Sequence, residues 1–472
     1  MGISAAMTVG SSGLRAFQVA SEVTSQNIAN VNTPGYSRQR VVLESAIPTS
    51  HNGFAIGSGV QIATVERYYD SLLQQQIVNA QTSQGFDTTK STVLQQLEPS
   101  FNDIANDGIG TAVSKFFGAW QDLTLNPAGT SERQVVLTRA QVLVDNFHSV
   151  SKSLTDSISL QNAALTPLTD GINKILTNIA SINDQIKTTQ TLNGNPNELK
   201  DQRDQLIRDL STKIGITFTE NSDGTTDVKL NETGTPALVT GSTAGAFSLV
   251  VNGTKSDVYL NPAGGAGAVI LAPQPTKGQL GATINLRDTI IPGYLKKVDD
   301  LANGIATAVN TQHQAGFDLN ATAGIAFFSP VTDAATIAIN PALNSTRLIA
   351  AAGANPNAPP AALPGDNSNA LAMAKLQNST TAAVAKIGSV TFNSYYSSFV
   401  SSVGLDVQSS KTTVTQDEAF VKQLTTLRDS NSAVSLDEEL TNLMKYQRAY
   451  QASAKIVSTV TDMMDVAMGM IR

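Results

Sequence analysis

The stretch that most restricts the fold is the last one. Leu436, Leu440, Leu443, Gln447, Tyr450, Ala454, Val457, Thr461, Met464, Met468 and Ile471 alternate steps of four and three without a slip. That is a coiled-coil stripe held for about five heptads. Ser435-Leu-Asp-Glu438 has the spacing of a capping box that would open it. A helix of ~35 residues is ~50 Å long at its standard rise, and it has little stability unless its stripe is buried. The C-terminus must therefore find a helical partner.

The N-terminus offers one. Arg15 and Glu22 are the only charges between residues 1 and 35, and Ile3, Met7, Leu14, Phe17 and Ile28 share one heptad track, with Gly10, Ser21 and Thr24 at its remaining positions. The two stripes must meet each other or a neighbouring subunit. Thr33 precedes a proline and is pushed out of the helical region. Pro34-Gly35 suits the centre of a type II turn, with φ preset by proline and positive φ open to glycine. The helix is thus expected to end near Asn30, and the chain from Tyr36 onward (YSRQRVVLE) to be extended.

A second long helix is expected in the first half, with Ser131-Glu-Arg-Gln134 as its capping box. Its near-heptad track runs from Phe147 through Leu154, Leu165, Ile172 and Ile179 to Ile186, and Pro167 should kink or divide it. Asn193-Gly-Asn-Pro196 turns the chain into a helix from Glu198 to Leu210. Residues 216–280 then change to alternating apolar pairs between turn signals such as Asn221-Ser-Asp-Gly224 and Asn252-Gly253. Helix resumes from Leu286 to Gln314, near Asn369–Leu376 and from Phe392 to Arg428.

The expected fold class is mainly α with a β insert, a multi-domain α+β chain. Residues 1–50 with 431–472 form a terminal coiled-coil helix pair. Residues 51–215 with 281–430 form an elongated helical middle domain, and 216–280 a small inserted β domain. Within the middle, the Ala/Pro-rich segment 317–366 is expected to be irregular and at the surface.

Chemistry is harder to find. The net charge of −7 and the lack of a basic block argue against nucleic acid as a partner. No apolar run reaches the ~18 residues of a membrane span, and MGISAAMTVGSS lacks the features of a signal peptide. There is no cysteine, hence no disulfide and no thiolate site. The histidines, His51, His148 and His313, lie in no metal-ligand spacing, and no phosphate loop or nucleophile elbow occurs. No catalytic, metal or cofactor residue is expected. What stands out is surface: terminal helices with few charges, whose burial on assembly at ~25 cal/mol per Å² would offset their ordering. That pattern belongs to a polymerising subunit.

At this point the residues meet a known pattern. Asn27-Ile-Ala-Asn-Val-Asn-Thr-Pro-Gly-Tyr36-Ser-Arg38 resembles the N-terminal motif of bacterial flagellar rod, hook and hook-associated proteins, and the segment from Val434 to Ile456 resembles their C-terminal motif. Ser37-Arg38-Gln39 after the turn, Ser435 to Glu439 before the heptads, Phe116 to Leu123 with Asn126-Pro127, and residues 278–288 are similar to the hook-associated protein 1 family. The resemblance implies a structural, non-enzymatic junction between hook and filament, extracellular on the flagellum. It implies export by the flagellar type III apparatus without a cleaved signal peptide. Its implied partners are the hook protein, a second junction protein, copies of itself in a helical lattice, and an export chaperone on Leu440, Leu443, Tyr450 and Val457. The implied assembly interface is Ile3, Met7, Leu14, Phe17, Ile28, Leu436, Leu440, Leu443, Tyr450, Ala454, Val457 and Met464. The turn Asn30, Asn32, Thr33, Pro34, Gly35 and Tyr36 would redirect the chain outward. Rival readings are another axial subunit (hook or distal rod) and a secreted type III effector or adhesin.

Overall fold

The computed structural model describes residues 3–51, 54–103, 108–232, 236–265, 267, 269–353, 365–380 and 387–470. Helix α1 (Ile3–Ala29) leads into strands β1 (Gln39–Ser45), β2 (Thr49–His51), β3 (Phe54–Ile56) and β4 (Val60–Arg67). Helices α2 (Ser71–Leu97), α3 (Ile109–Leu123), α4 (Thr130–Thr191) and α5 (Asn197–Lys213) follow. Then come β5 (Ile216–Glu220), β6 (Thr226–Leu230), β7 (Ala237–Thr240), β8 (Thr243–Ala244), β9 (Ala246–Asn252), β10 (Lys255–Asn261) and β11 (Val269–Ile270). The chain closes with α6 (Gly278–Asn285), a π turn (Leu286–Ile290), α7 (Ile291–Gln314), α8 (Ser368–Lys375), α9 (Phe392–Ser432) and α10 (Leu436–Gly469). The architecture is mainly α with a β insert.

Helix α4 is the spine. It has 62 residues, so it is roughly 90 Å long. Pro167 lies inside it without dividing it, contrary to one of the two expectations. The Thr169 hydroxyl donates to the Leu165 and Thr166 carbonyls beside the proline. Two separate cores are threaded on this one helix. Its N-terminal half (Val136, Leu143, Phe147, Leu154) packs with α3, α7 and α9, through Phe116, Trp120, Leu301 and Phe399 among others. Its C-terminal half (Leu165, Ile172, Leu176, Ile179) packs with α5, α6 and the β insert, through Leu210, Leu280, Val228 and Leu260.

The insert holds two antiparallel sheets, ordered β5-β6-β7-β8 and β11-β10-β9. Leu249 lies opposite Val258 and Phe247 opposite Leu260, so one face of the second sheet meets α4. Asn183 on α4 bolts the first sheet in place. Its amide donates to the Thr226 and Gly241 carbonyls and accepts from the Thr226 N–H, all from a buried position.

The segment 317–366 is irregular but does not lie at the surface as expected. Phe327, Phe328, Ala334, Ile337 and Ile349 are fully buried in the first core, and Phe116 and Trp120 pack on Phe327 at 5.8 and 5.9 Å between centroids. Aromatic anchors recur in this loop at no regular period, so no amphipathic pattern marks them. Arg133 holds its backbone: the buried guanidinium donates to the carbonyls of Pro127, Thr346 and Ile349. Loss of hydration lowers the Arg133 pKa to about 10. Residues 354–364 lie outside the described residues.

Neither expected capping box forms. Helix α4 starts two residues early behind Gly129, and Glu132 accepts from the Asn126 side chain. At α10, Ser435 makes no side-chain cap bond, and the Glu438 carboxylate, which would complete the box, pairs with Arg38 instead.

Candidate assembly site

The turn after α1 has the expected form: the Tyr36 N–H donates to the Thr33 carbonyl at 3.2 Å, and Gly35 sits at φ +82°. Asn32, Thr33 and Pro34 are exposed, while Asn30, Gly35 and Tyr36 are half-buried. The turn sends the chain into the ribbon β1–β4, a two-stranded antiparallel ladder from Gln39 opposite Arg67 to Ser45 opposite Val60.

Helices α1 and α10 pack along each other and run antiparallel. Asn27 bonds Glu439, a side chain at Gly13 would strike Ser453, and one at Gly10 would strike Val457. The buried line of α1 is Gly10, Gly13, Ala16, Ala20, Val23 and Asn27. The facing line of α10 is Glu439, Tyr446, Ala449, Ser453, Val457 and Val460. The helices thus meet over small residues: an added Cβ at Gly13 would stand 2.7 Å from the Ser453 hydroxyl oxygen.

This line lies beside the stripe of larger residues picked out by the heptads. Met7, Leu14, Phe17, Ile28, Leu443 and Ala454 are half-buried on its flanks, and of the heptad residues Val457 lies in the line itself, against Gly10. Leu436, Leu440, Tyr450 and Met464 remain 36–48 % exposed. The side chains of Ile3 and Ile471 lie outside the described residues. The pair therefore presents a second apolar stripe outward after its own seam is satisfied.

A buried polar hub fixes this pair to the rest of the chain. Asn27 Nδ2 donates to the Gln39 carbonyl (2.8 Å) and to Glu439 Oε2 (2.9 Å). Asn27 Oδ1 accepts from the Gln39 N–H (3.0 Å) and from the Tyr36 hydroxyl (2.9 Å). Burial pushes the Tyr36 hydroxyl well above the usual tyrosine range, so it stays a donor. Glu439, 2 % exposed, accepts from Arg38 at 2.7 Å, and Arg38 also reaches Glu438. The Arg38 N–H donates to the Ser432 carbonyl at the end of α9.

From this hub the contacts spread to α5. Gln39 Oε1 accepts from Asn195 and Asn197, and Asn197 also donates to the Val65 carbonyl. The Ser37 N–H donates to Asp201, whose other oxygen accepts from Arg67 at 2.8 Å. Arg67 also pairs with Asp204 and lies 4.2 Å over the Tyr69 ring. Loss of hydration raises the Asp201 carboxyl above its ordinary range, against the pull of Arg67. Gln26 bonds Glu198 as well. One motif thus ties α1, α10, α9, α5 and the ribbon into one joint.

Asn27, Arg38 and Glu439 stand within the quoted motifs, but none of them is among the expected site residues. Asn27 carries a readable signal, since it continues the helical spacing of Ala16, Ala20 and Val23 with a polar group that is costly to bury unpaired; Arg38 and Glu439 stand among other polar residues and carry none. Among the described residues no group of acids and histidines could hold a metal ion, and no helix is long and apolar enough to cross a membrane.

Comparison with known proteins bears directly on this joint. Residues 7–36 match the family model "Flagella basal body rod protein", and residues 428–470 match "Flagellar basal body rod FlgEFG protein C-terminal". Residues 94–328 match "Flagellar hook-associated protein FlgK helical domain". Flagellar hook-associated protein 1 of Bacillus subtilis is 29% identical over 96% of this chain and 95% of its own. Its namesake in Escherichia coli is 28% identical over 96% of this chain and 97% of its own. The solved flagellar hook junction protein FlgK from Burkholderia pseudomallei shares the fold, with a TM-score of 0.64 at 18% identity over 76% of this chain and all of that one.

Matched at both ends by rod-type models and through the middle by a hook-associated helical domain, this is an axial structural protein of the flagellum. The chain belongs to the flagellar hook-associated protein 1 family.

Proposed function

We propose that this chain is the structural subunit joining hook to filament and that it enters the structure through α1 and α10. The observation that carries the reading is the outward stripe on the terminal pair. Leu436, Leu440, Tyr450 and Met464 stay exposed after the small-residue seam has closed, and an apolar stripe of that length calls for a partner. The assembly face is Ile3, Met7, Leu14, Phe17 and Ile28 with Leu436, Leu440, Leu443, Tyr450, Ala454, Val457 and Met464. Its neighbours are further copies in a helical lattice, the hook protein on one side and a second junction protein on the other. The turn from Asn30 to Tyr36 carries the chain from the inner tube to the outer layers. The terminal pair, residues 1–50 with 431–472, polymerises, and the middle domain and the β insert form the outer body. Before assembly, an export chaperone covers Leu440, Leu443, Tyr450 and Val457. The subunit reaches the outside through the flagellar type III apparatus without a cleaved signal.

A clean deletion tests this. Hooks are examined by electron microscopy and the medium is probed for unpolymerised flagellin. Bare hooks with flagellin lost to the medium support the junction role. Missing hooks move the protein inward to hook or rod. Normal filaments overturn the axial reading and favour a secreted effector or adhesin.

A further inference from the structure

We propose that the methionines on the last turns of α10 form an oxidant-sensitive modification site that decides whether a free subunit can assemble. The chain has 8 methionines. Met463, Met464, Met468 and Met470 cluster within eight residues and are 54, 36, 63 and 82 % exposed; Met444, earlier on the same helix, is 54 % exposed but stands alone, and Met373 in the first core is 0 % exposed. The α1–α10 register fixes where they lie. Gly10 lies against Val457, so Met464, seven residues further on, falls opposite Ile3, and Met468 and Met470 run past the first described turn of α1. Met464 and Met468 are one turn apart on one line, and Met463 and Met470 are two turns apart on the next.

An exposed thioether reacts with a hydroperoxide. The sulfur lone pair attacks the terminal peroxide oxygen, the O–O bond breaks, and the oxygen becomes bonded to sulfur as a sulfoxide. The sulfur loses two electrons and the peroxide gains them, leaving as water or an alcohol after proton transfer. The product is polar and chiral where the thioether was apolar and adaptable. The proposal rests on the assembly reading, in which Met464 and its neighbours become buried. Free subunits are then the vulnerable form, and incorporated subunits are shielded by their neighbours.

The test treats the full-length chain with hydrogen peroxide, maps sulfoxides residue by residue by mass spectrometry, and measures incorporation onto bare hooks of a deletion strain. Met463, Met464, Met468 and Met470 should convert well before Met373, with loss of incorporation that methionine sulfoxide reductase restores. A chain carrying Met463→Leu, Met464→Leu, Met468→Leu and Met470→Leu should incorporate normally and resist peroxide. Full conversion at these four positions without loss of incorporation overturns the proposal, as does equal peroxide sensitivity in the leucine chain. An unoxidised Met464→Gln, Met468→Gln chain separates the two ideas. If it fails to incorporate while the sulfoxide form succeeds, only the oxidation proposal falls. If it incorporates like the parent, the burial of this ridge falls with it.

Discussion

Asn27 uses its amide to capacity: two donated hydrogens and two accepted ones, all from different groups. No other side chain of that size offers two donors and two acceptors in one plane. Asn27→Asp keeps the shape, removes both donors and points a carboxylate at Glu439. It should weaken the terminal pair by about 2–4 kcal/mol, read as lost hydrogen-exchange protection in α1 with the two cores unchanged. Wild-type protection in this variant would mean that the hub does not hold the helices.

His313 is a second residue whose state is dictated by its partners. Nε2 accepts from the Ala350 N–H, so Nδ1 carries the proton that it shares with the Ile325 carbonyl. Burial lowers its pKa to about 4 from 6.5. The unfolded chain takes up a proton below pH 6.5 and the folded chain does not until about pH 4. Stability from this group is therefore complete above pH 6.5 and declines as the pH falls toward 4. Between pH 7 and 5, above the range of ordinary carboxylates, the decline should be about 2 kcal/mol. Denaturant titrations should show this slope in the parent and a flatter one in His313→Gln.

Among the elements, the terminal pair shows what a heptad reading can and cannot extract. The three-four alternation correctly announced a long helix seeking partners. It also drew attention to the largest residues, whereas two helices approach most closely where side chains are smallest, at Gly10, Gly13, Ala16 and Ser453. Size and periodicity pointed to adjacent lines on the same helix. Gly13→Leu should force the helices apart and unravel the pair, and Ser453→Gly in the same chain should recover part of the loss. Circular dichroism and exchange on the double variant check this coupling.

Other elements were lost for other reasons. The capping boxes had the right letters, but Glu438 has a stronger partner in Arg38, far away in sequence. The Asn27–Glu439 bond spans 412 positions, a separation no local pattern encodes. The irregular stretch around Phe327 follows no period, yet it fills the first core. Phe327→Ala should cost about 3–5 kcal/mol, visible as a lowered denaturant midpoint in the fluorescence of the single tryptophan, Trp120.

For the whole molecule, the distribution of buried apolar groups is uneven. Between the body and the joint, α2 and α9 share only a small cluster of Leu73, Ile77, Ala80 and Leu424. Along α9 the only residue buried between Val407 and Leu424 is Ser410. This neck should exchange its amides faster than either core. Gly35 stands where the joint begins, at positive φ with Arg208 and Gln205 each 3.1 Å from where a Cβ would sit. Gly35→Val should leave the Trp120 transition unchanged and abolish or sharply reduce incorporation onto hooks. Normal filament growth in this variant would count against the outward turn.

The unbroken spine has a consequence for how such a chain can change length. Because both cores share α4, their relative bearing is set by helical phase. Adding one residue between Leu154 and Leu165 would swing the β insert, together with Asn183 that holds it, about 100° around the axis relative to the first core. Growth or loss of material is free only where phase is not counted, in the turns of the insert and the loops of the body. The outer surface of such a subunit can vary widely while its long helix keeps the bearing of everything mounted on it.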